Sequence, residues 1–366
     1  MRVLVVNAGS SSLKVSLVDD GDKVLAQREF EVAEGRVDDA ALASEVHAMG
    51  DVEAVGHRVV HGGPRYTAST RISHEVIAYL VSISDLAPLH LPSALAGIAS
   101  VRALLPRVPA VACIDTAFHS HMPAAASTYA IPKEWRERYG IRRYGFHGFS
   151  HSYAARRAAE MLGRPESELK VVTCHLGSGS SLAAVSGGRS VDTTMGFTPL
   201  EGLVMATRSG TVDPGMLLWL QRHAGIDEAE LSDTLDQRSG LLALAGTEDM
   251  REVLKKVSAG DHGARLAFDV YIHRLRSLIA AMTAAMGGLD ALVFTGGVGE
   301  NAPAVRASAV AGLRFLGVEI GPTLNASVRA DSDISAPGAR VPTLVIKARE
   351  DVEVAREVRR VLSAPA

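Results

Sequence analysis

The sequence predicts an α/β fold made of two duplicated domains. The chain has 366 residues, and at roughly 100–200 residues per domain this length suggests two. Short β-branched runs alternate with longer segments of helical periodicity. The segment NAGSSSL, which begins at Asn7, is similar to HLGSGSSL, which begins at His175, and each joins two β-rich runs. This similarity, about one domain length apart, indicates an internal duplication.

The individual elements follow from local patterns. The predicted strands, in chain order, are VLVVN, KVSLVDD, AVGHRVV, PAVACIDT, KVVTCHLG, SLAAVSGG, DALVFTGG and PTLVIKA. Apolar residues at three- and four-residue intervals predict helices over 152–162 and 262–286, and EDVEVAREVRRVL predicts a closing helix. The segment DSDISAPGAR near Pro337 has the composition of a surface loop.

Composition and charge exclude several classes of function. The chain carries 38 basic and 41 acidic residues, a net charge of −3, so neither nucleic acid nor a membrane surface is an expected partner. Its two cysteines, Cys113 and Cys174, lie in runs that read as buried strands and cannot form a zinc site or a disulfide framework. The apolar amino-terminal run is too short for a signal peptide, and no apolar run reaches the ~18 residues of a membrane span. We therefore expect a cytoplasmic protein.

Three glycine-rich segments are candidate phosphate-binding turns: NAGSSSLK (7–14), HLGSGSS (175–181) and FTGGVGEN (294–301). Glycine lets the backbone approach a phosphate closely, and successive amide groups in such turns bind anions. A helix predicted after the third segment would present its N-terminus to negative charge. Any one of these segments alone could be an ordinary hairpin turn. The chain has no Walker A loop, and its one incomplete G-x-G-x-x-G leads into a strand, which disfavours the P-loop and dinucleotide-binding folds.

Arginine and histidine lie beside glycines in three further segments. GHRVVHGG carries Arg58 and His61, RRYGFHGFSH carries His147 and a second histidine, and TRSGTVDPG carries Arg208. The planar guanidinium group suits carboxylates and phosphoryl groups. Phosphoryl transfer needs positive charge and in-line positioning rather than covalent help from the protein. The alternative for each arginine is a surface ion pair, and for each histidine a core position.

The motifs together resemble a known family. NAGSSSLK, GHRVVHGG, IDTAFH, RRYGFHG, MGFTPLEGL, TRSGTVDP, TGGVGEN and EDVEVA look like the acetate kinases, within the acetate/propionate/butyrate kinase group, and they occur in order from residue 7 to about residue 355. The resemblance implies the duplicated actin/sugar-kinase/Hsp70-like (ribonuclease H-like) fold, with two domains of βββαβαβα topology. It implies an N-terminal domain of residues 1–146 plus 349–366, a nucleotide-binding domain of residues 147–348, and an active site in the interdomain cleft.

The resemblance also implies roles for individual residues. Arg58 and Arg208 would hold the substrate carboxylate and the migrating phosphoryl group, His147 would hydrogen-bond to the transition state, and Asp115 would position the arginines. Asn7 and Glu350 would bind Mg²⁺, with Mn²⁺ as a substitute, partly through water as hard oxygen ligands do. Among 41 acidic residues, only the resemblance singles out Glu350.

The remaining implied residues form two binding sets. Beside Arg58, the pocket for the acid would consist of Val60, Leu89, Phe146 and Pro199, for which plain core packing is the alternative. The nucleotide contacts would come from Ser12, Lys14, His175, Leu176, Gly177, Ser178, Gly179, Asp249, Met250, Arg251, Gly297, Val298, Gly299, Glu300 and Asn301. The family further implies a homodimer.

Several residues depart from the family pattern. Leu91, Pro92 and Ser93 follow APLH where the family has Asn-Pro-Pro, Phe149 stands in place of Thr, and Ser178 stands in place of Asn. Glu248 replaces a common Ser. None of them removes a residue assigned to catalysis. Leu91 and Phe149 adjoin the pocket and catalytic motifs, so acid selectivity and turnover are the properties they would affect.

The expected reaction is Mg²⁺-dependent, reversible transfer of the ATP γ-phosphoryl group to acetate, giving acetyl phosphate and ADP. Val60 favours acetate, with propionate as a secondary substrate, because a pocket separates acids by only ~1–3 kcal/mol per methylene. A propionate or butyrate kinase would use the same mechanism. A nucleotide-driven switch or chaperone of the same superfamily would hydrolyse ATP whether or not acetate is present. A sugar kinase would need an aspartate base, a role in which Asp115 could be placed.

Overall fold

The computed structural model describes residues 1–9, 12–31, 38–88 and 90–364, and the chain divides into two compact units. Unit 1 comprises Met1–Ser120 and Arg349–Ala366, and unit 2 comprises His121–Ala348. The chain returns to unit 1 at residue 349, the same position as in the expected domain division. It first leaves unit 1 after Ser120 rather than after residue 146. The reason is that residues 121–146 are tied to unit 2: the Tyr144 amide donates to the Gly196 carbonyl at 3.0 Å.

The described residues form twelve strands and fifteen α-helices. The strands are β1 Val3–Ala8, β2 Ser12–Val18, β3 Val24–Glu31, β4 Ala54–Val59, β5 Thr70–Arg71, β6 Ala110–Ile114, β7 Lys170–Leu176, β8 Ser180–Ser186, β9 Arg189–Thr193, β10 Ala291–Thr295, β11 Ser332–Asp333 and β12 Thr343–Val345. The helices are α1 Asp39–Ala48, α2 His74–Ser82, α3 Leu91–Leu104, α4 Ala124–Ser127, α5 Lys133–Tyr139, α6 Gly148–Leu162, α7 Pro214–Ala224, α8 Glu228–Gln237, α9 Gly240–Ala245, α10 Met250–Ser258, α11 His262–Met286, α12 Gly296–Asn301, α13 Pro303–Ala311, α14 Pro322–Ala326 and α15 Glu350–Ser363.

Each unit contains a six-stranded mixed sheet, and the two sheets share one topology. The strand order is β3-β2-β1-β4-β6-β5 in unit 1 and β11-β12-β10-β7-β8-β9 in unit 2. When the two orders are read from opposite edges, each strand of unit 1 has a counterpart in unit 2. The pairs are β1 and β7, β2 and β8, β3 and β9, β4 and β10, β6 and β12, and the short antiparallel edge strands β5 and β11. The duplicated α/β fold predicted from the repeat is therefore confirmed.

Helix α11 organises the core of unit 2, and its bounds are those predicted from the periodicity of residues 262–286. Asp261 caps its N-terminus by accepting from the Ala264 amide at 2.8 Å, and Gly287 ends it at φ 63°. The helix packs against β7, β8 and β9. Its fully buried side chains include Leu275 and Ile279, each of which stabilises the unit by roughly 1.5–3 kcal/mol through burial.

Helix α15 lies directly on strand β4 in unit 1. A Cβ at Gly56 would come within 2.6 Å of Val358 and 2.9 Å of Val354, so only glycine allows the helix to approach this closely. The helix begins at Glu350. Its close packing on β4 fixes the position of that carboxylate relative to the end of the strand.

Two local predictions differ from the structure. The glycine-rich segment 294–301 is not an open turn: Gly296–Asn301 form the short helix α12, because the Glu300 side chain accepts from the Gly296 amide at 3.0 Å and closes the turn on itself. The loop predicted near Pro337 begins with strand β11, since Ser332 and Asp333 pair with β12. Both cysteines are free and buried, as the strand pattern predicts. Within the described residues, no helix is long and apolar enough to cross a bilayer.

Candidate active site

Three predicted site residues of unit 1 meet at one edge of its sheet. Strands β1, β4 and β6 are mutually parallel, so their carboxyl ends lie side by side, where ligands bind in open α/β sheets. Asn7 lies near the end of β1, Arg58 near the end of β4, and Asp115 directly after β6. The sequence motifs of this unit therefore converge because of the strand register.

Arg58 is the centre of this group. Its Nη2 lies 2.6 Å from Asp115 Oδ2, its Nη1 donates to Asn7 Oδ1 at 3.3 Å, and its Nε lies 3.4 Å from Glu350 Oε2. Burial alone would lower the pKa of Arg58, but the charges of Asp115 and Glu350 and the Asp115 hydrogen bond outweigh it and raise the pKa. Arg58 therefore stays a cation held in one orientation, with its planar fork fixed by three oxygen groups.

The same oxygens are suited to a divalent metal ion. Asn7, Asp115 and Glu350 supply one amide and two carboxylates within reach of one guanidinium group. No cluster of three or more His, Cys, Asp or Glu suited to a metal occurs in the described part of the chain. This sparse, all-oxygen set fits Mg²⁺, which keeps several waters and takes one or two carboxylates together with substrate phosphates. A softer metal such as Zn²⁺ would require His or Cys ligands.

Unit 2 brings His147 and Arg208 to a common point above Gly179. A Cβ at Gly179 would lie 3.3 Å from His147 Nε2 and 3.6 Å from Arg208 Nη1. His147 adopts φ 57° where it precedes helix α6. The left-handed region is uncommon for a residue other than glycine, and such conformations concentrate at functional sites. Two cationic or hydrogen-bonding groups thus face one glycine, which leaves space for a ligand.

The charge of Arg208 is less compensated than that of Arg58. Its nearest carboxylate, Asp236, lies 3.9 Å from its Nε, and its Nη1 donates to the Pro199 carbonyl at 3.3 Å. Burial lowers the pKa of Arg208 and also raises the pKa of Asp236, while the attraction between the two charges partly offsets both effects. A partly buried cation with a counter-ion no closer than this favours binding of an anion.

A cavity of about 500 Å³ lies in unit 2 next to this point, within the usual size range of small-molecule sites. It is lined by Gly177, Ser178, Ala206, Leu241, Glu248, Asp249, Met250, Arg251, Tyr271, Gly297, Val298, Asn301 and Ala302. Residues 177–178 follow strand β7, and residues 297–298, at the start of helix α12, follow strand β10. These two parallel strands are paired at their ends, at His175 and Thr295. Eight of the residues expected to contact a nucleotide therefore share one cavity.

Asp249 and Arg251 form a pair at the exposed side of the cavity. Asp249 caps helix α10 by accepting from the Arg251 amide at 2.8 Å, and its Oδ2 lies 2.6 Å from Arg251 Nη2. Hydrogen bonding with the Arg251 side chain lowers the pKa of Asp249. The aspartate therefore holds the arginine at the start of the helix, while the neighbouring Met250 is buried.

Other expected nucleotide contacts lie behind the cavity or in unit 1. His175 stacks on His147 with ring centroids 4.3 Å apart, and Leu176 is buried on β7. Gly299 is buried within α12, and Glu300 accepts from the Ala348 amide at 2.9 Å as well as from Gly296. Glu300 thus shapes the turn through its side chain. Ser12 and Lys14 belong to β2 of unit 1, where Lys14 Nζ lies 3.4 Å from Glu29 Oε1.

The expected acid-binding residues are divided between the units. Val60 is buried directly after β4 in unit 1, whereas Phe146 and Pro199 belong to unit 2. Leu89 lies outside the described residues. Among the departures from the family pattern, Leu91 and Phe149 are both buried.

Sequence reasoning missed several residues that line the cavity. Leu241 comes from α9 and Tyr271 from the middle of α11. Both lie on the apolar face of a helix, so their spacing in the sequence is that of any residue in the hydrophobic core. Nothing in the sequence distinguishes them as residues that line a cavity. Ala206 lies two residues before Arg208 in a segment already singled out, and its role in the lining could have been suspected from that position.

Several known proteins are similar to this chain in sequence and in structure. The model of the Acetokinase family matches residues 36–356. The chain is 48% identical to an acetate kinase of Gloeobacter violaceus, over 98% of each chain, and 47% identical to one of a Synechococcus species, over 99% of each. Its structure is similar to those of Porphyromonas gingivalis acetate kinase (TM-score 0.91, 36% identity, 99% and 100% of the two chains) and a Francisella tularensis propionate kinase (TM-score 0.91, 34% identity, 98% and 99%). These similarities confirm the expected fold class.

Proposed function

The chain belongs to the acetokinase family, and from this premise we propose that it reversibly transfers the γ-phosphoryl group of ATP to acetate. The products are acetyl phosphate and ADP. The observation that carries the proposal is the convergence of His147 and Arg208 over Gly179, beside a cavity lined by the preceding residues Gly177 and Ser178. Donors placed this way can stabilise negative charge on a phosphoryl group bound next to the cavity.

The reaction needs no general base, because acetate is already ionised near neutral pH. A carboxylate oxygen attacks the γ-phosphorus in line, the new O–P bond forms, and the bond to the bridging oxygen of ADP breaks. Arg208 and His147 hydrogen-bond to the transferring group, whose equatorial oxygens carry the charge. Asp115, with Oδ2 2.6 Å from Arg58 Nη2, serves to hold that arginine. This ion pair disfavours the sugar-kinase alternative, in which Asp115 would have to act as a base.

Arg58 holds the acetate carboxylate in this proposal. The guanidinium group has five N–H donors, so its contacts with Asn7, Asp115 and Glu350 leave donors for a substrate oxygen.

The family uses ATP and a divalent metal ion, and we assign the metal as Mg²⁺. Asn7 and Glu350 would hold it, partly through water, and when bound it neutralises charge on the phosphate oxygens. The oxygen-only donor set around Arg58 supports this choice.

Acetate is the preferred acid in this proposal because the resemblance to the family assigns Val60 to the acid pocket, where it leaves less room than a smaller residue would. Propionate is a secondary substrate, since one methylene changes binding by only ~1–3 kcal/mol. The similarity to the Francisella propionate kinase favours keeping propionate as the second candidate for the main substrate. The ratio of kcat/KM values for acetate, propionate and butyrate distinguishes the two.

A homodimer in the cytoplasm completes the proposal. No residue of helix α7 is buried, and Met216, Leu218 and Trp219 are 42%, 53% and 56% exposed. Apolar side chains gathered on an amphipathic helix mark an interaction surface, and we assign it to a second copy of the chain. Trp219→Lys should then yield monomers by light scattering, and an unchanged mass would contradict this surface. The two free thiols agree with a reducing compartment.

Trapping of the acyl phosphate with hydroxylamine tests the proposed function. With ATP and Mg²⁺, the protein should form acetohydroxamate in amounts equal to the ADP released, and both should depend on acetate. ADP release that is the same with and without acetate, with no hydroxamate, would instead indicate an ATP-driven switch and overturn the proposal.

A further inference from the structure

Ser181 lies between two histidine rings behind the proposed reaction centre. Its Oγ is 2.9 Å from His147 Nδ1 and 2.7 Å from His151 Nε2. On the far side of the second ring, His151 Nδ1 is 2.7 Å from Thr173 Oγ1. Ser181, His151 and Thr173 are fully buried. These contacts form a continuous chain from His147 into the sheet through strands β7 and β8.

The number of protons restricts how this chain can be arranged. A serine hydroxyl has one proton to donate, and a neutral imidazole has one donor nitrogen and one acceptor nitrogen. The Thr173 hydroxyl is oriented toward the Ala183 carbonyl, 3.5 Å away. If it donates there, it accepts from His151 Nδ1–H, which makes His151 Nε2 an acceptor. Ser181 then donates to His151 Nε2 and accepts from His147 Nδ1–H.

We propose that Ser181 and His151 are positioning residues that keep a proton on His147 Nδ1 and aim its Nε2 at the phosphoryl group. This inference rests on the proposed function. A proton on Nε2 then makes the ring an imidazolium, so the hydrogen bond that His147 donates to a phosphoryl oxygen is charge-assisted and about twice as strong as a neutral one.

The position of Nε2 supports this assignment. Nε2 is the ring nitrogen that lies 3.3 Å from a Cβ built on Gly179, on the side shared with Arg208 Nη1. Nδ1 faces the opposite way, toward Ser181. The left-handed backbone conformation of His147 sets the direction in which its side chain leaves the main chain. The contact with Ser181 restrains the rotation of the imidazole ring. Ser181 thus acts on both the rotation of the ring, which His175 also restrains by stacking, and the location of its proton.

Nitrogen-15 NMR of the histidine-labelled protein tests the protonation state directly, without use of the enzymatic activity. In the wild type, His147 Nδ1 should resonate as a protonated nitrogen, and in Ser181→Ala this preference should be lost. An unprotonated Nδ1 in the wild type would show that the hydrogen bonds from His147 to Thr173 have the opposite donor and acceptor order, and this would overturn the proposal. Failure to form acyl phosphate would overturn the function instead, so the two failures are distinguishable.

The kinetic test compares Ser181→Ala with Thr193→Val. Ser181→Ala should lower kcat by about 10–100-fold, the usual effect of removing a group that orients a functional ligand, with little change in KM for ATP or acetate. Thr193, on the adjacent strand β9, also has a buried hydroxyl group, which donates to the Leu182 carbonyl at 2.8 Å. Thr193→Val therefore removes one buried hydrogen bond, as Ser181→Ala does, but it should retain normal kcat. Equal kcat in the two variants would contradict the role of Ser181. If Ser181→Ala does not fold, Thr173→Val breaks the far end of the chain and should change the same His147 resonance.

Discussion

Replacement of Gly179 by alanine probes the space that His147 and Arg208 share. The added methyl carbon would lie 3.3 Å from His147 Nε2, 3.4 Å from His147 Cε1 and 3.6 Å from Arg208 Nη1. Favourable contacts between non-bonded heavy atoms lie at ~3.5–4.0 Å, so the imidazole must move by a few tenths of an ångström. With the phosphoryl group bound as proposed, the methyl group would also take the place of one of its oxygens.

The expected loss of activity follows from this geometry. A misplacement of 1 Å between reacting groups costs roughly 10²-fold in rate, or ~2.7 kcal/mol in the activation barrier, and a shift of a few tenths of an ångström costs less than this. The effect on folding should be smaller, because the strain of overpacking, ~1–3 kcal/mol, is partly offset by the ~0.4–1 kcal/mol that a Gly→Ala change contributes through the unfolded state. Gly179→Ala should therefore fold and lose up to about two orders of magnitude in kcat.

The assay is hydroxamate formation under saturating ATP and acetate, together with a thermal melt. Gly321→Ala is the matched control, since its Cβ would also meet a neighbour, Leu324 Cδ1, at 3.3 Å, but away from the site. The control should have normal kcat. A folded Gly179→Ala protein with kcat within twofold of the wild type would refute the idea that this space holds the phosphoryl group.

Three further predictions concern charge, metal and pH. Arg208→Ala should lower kcat by ~10²–10³-fold with little change in the KM for ATP, and near-normal turnover would refute its role. Asn7→Ala should raise the Mg²⁺ concentration needed for half-maximal activity, so an unchanged metal titration would count against the metal site. Burial lowers the pKa of His57 to about 3, with a further contribution from the charge of Arg102, and burial lowers that of His61 to about 4. In the unfolded chain the pKa of each histidine is ~6.5, so below pH 6.5 the unfolded state binds protons that the folded state does not bind. The free energy of unfolding therefore falls as the pH falls from 6.5 toward the folded pKa values, by ~2 kcal/mol per histidine at pH 5. Urea unfolding at pH 8 and pH 5 measures this, and His57→Gln should unfold with a weaker pH dependence; an unchanged dependence would contradict the assignment.

The sequence predicted those parts of the site that are tied to strand ends. Asn7, Arg58 and Asp115 each lie at or after the last residues of a strand with a clear β-branched pattern, and parallel pairing then brings them together. Gly177, Ser178 and Gly297 were predicted for the same reason, as turns after β7 and β10. Asn7 and Asp115 were singled out by the resemblance to the family, whereas Arg58 and the glycine-rich turns also stood out by their chemistry.

Other features depend on tertiary contacts that a pattern does not encode. Tyr271 lines the cavity from the apolar face of α11, and its spacing is that of any buried helix residue. The segment 121–146, which the expected division assigns to the N-terminal domain, has no distinctive composition. Only its bonds assign it to unit 2, such as that from Arg143 Nη2 to Glu201 Oε1 at 2.6 Å. The histidine–serine chain was missed because Ser181 reads simply as part of a glycine-rich turn.

The central claim is that a carboxylate oxygen of acetate becomes the bridging oxygen bonded to phosphorus. To test it, acetate labelled with ¹⁸O in both carboxyl positions is incubated with the protein, ATP and Mg²⁺, and the product is then cleaved with hydroxylamine. Hydroxylamine attacks the acyl carbon and releases phosphate with the bridging oxygen attached. The account predicts that mass spectrometry will find a single ¹⁸O atom in each phosphate released. Phosphate without label, in a reaction that still consumes ATP, would contradict it.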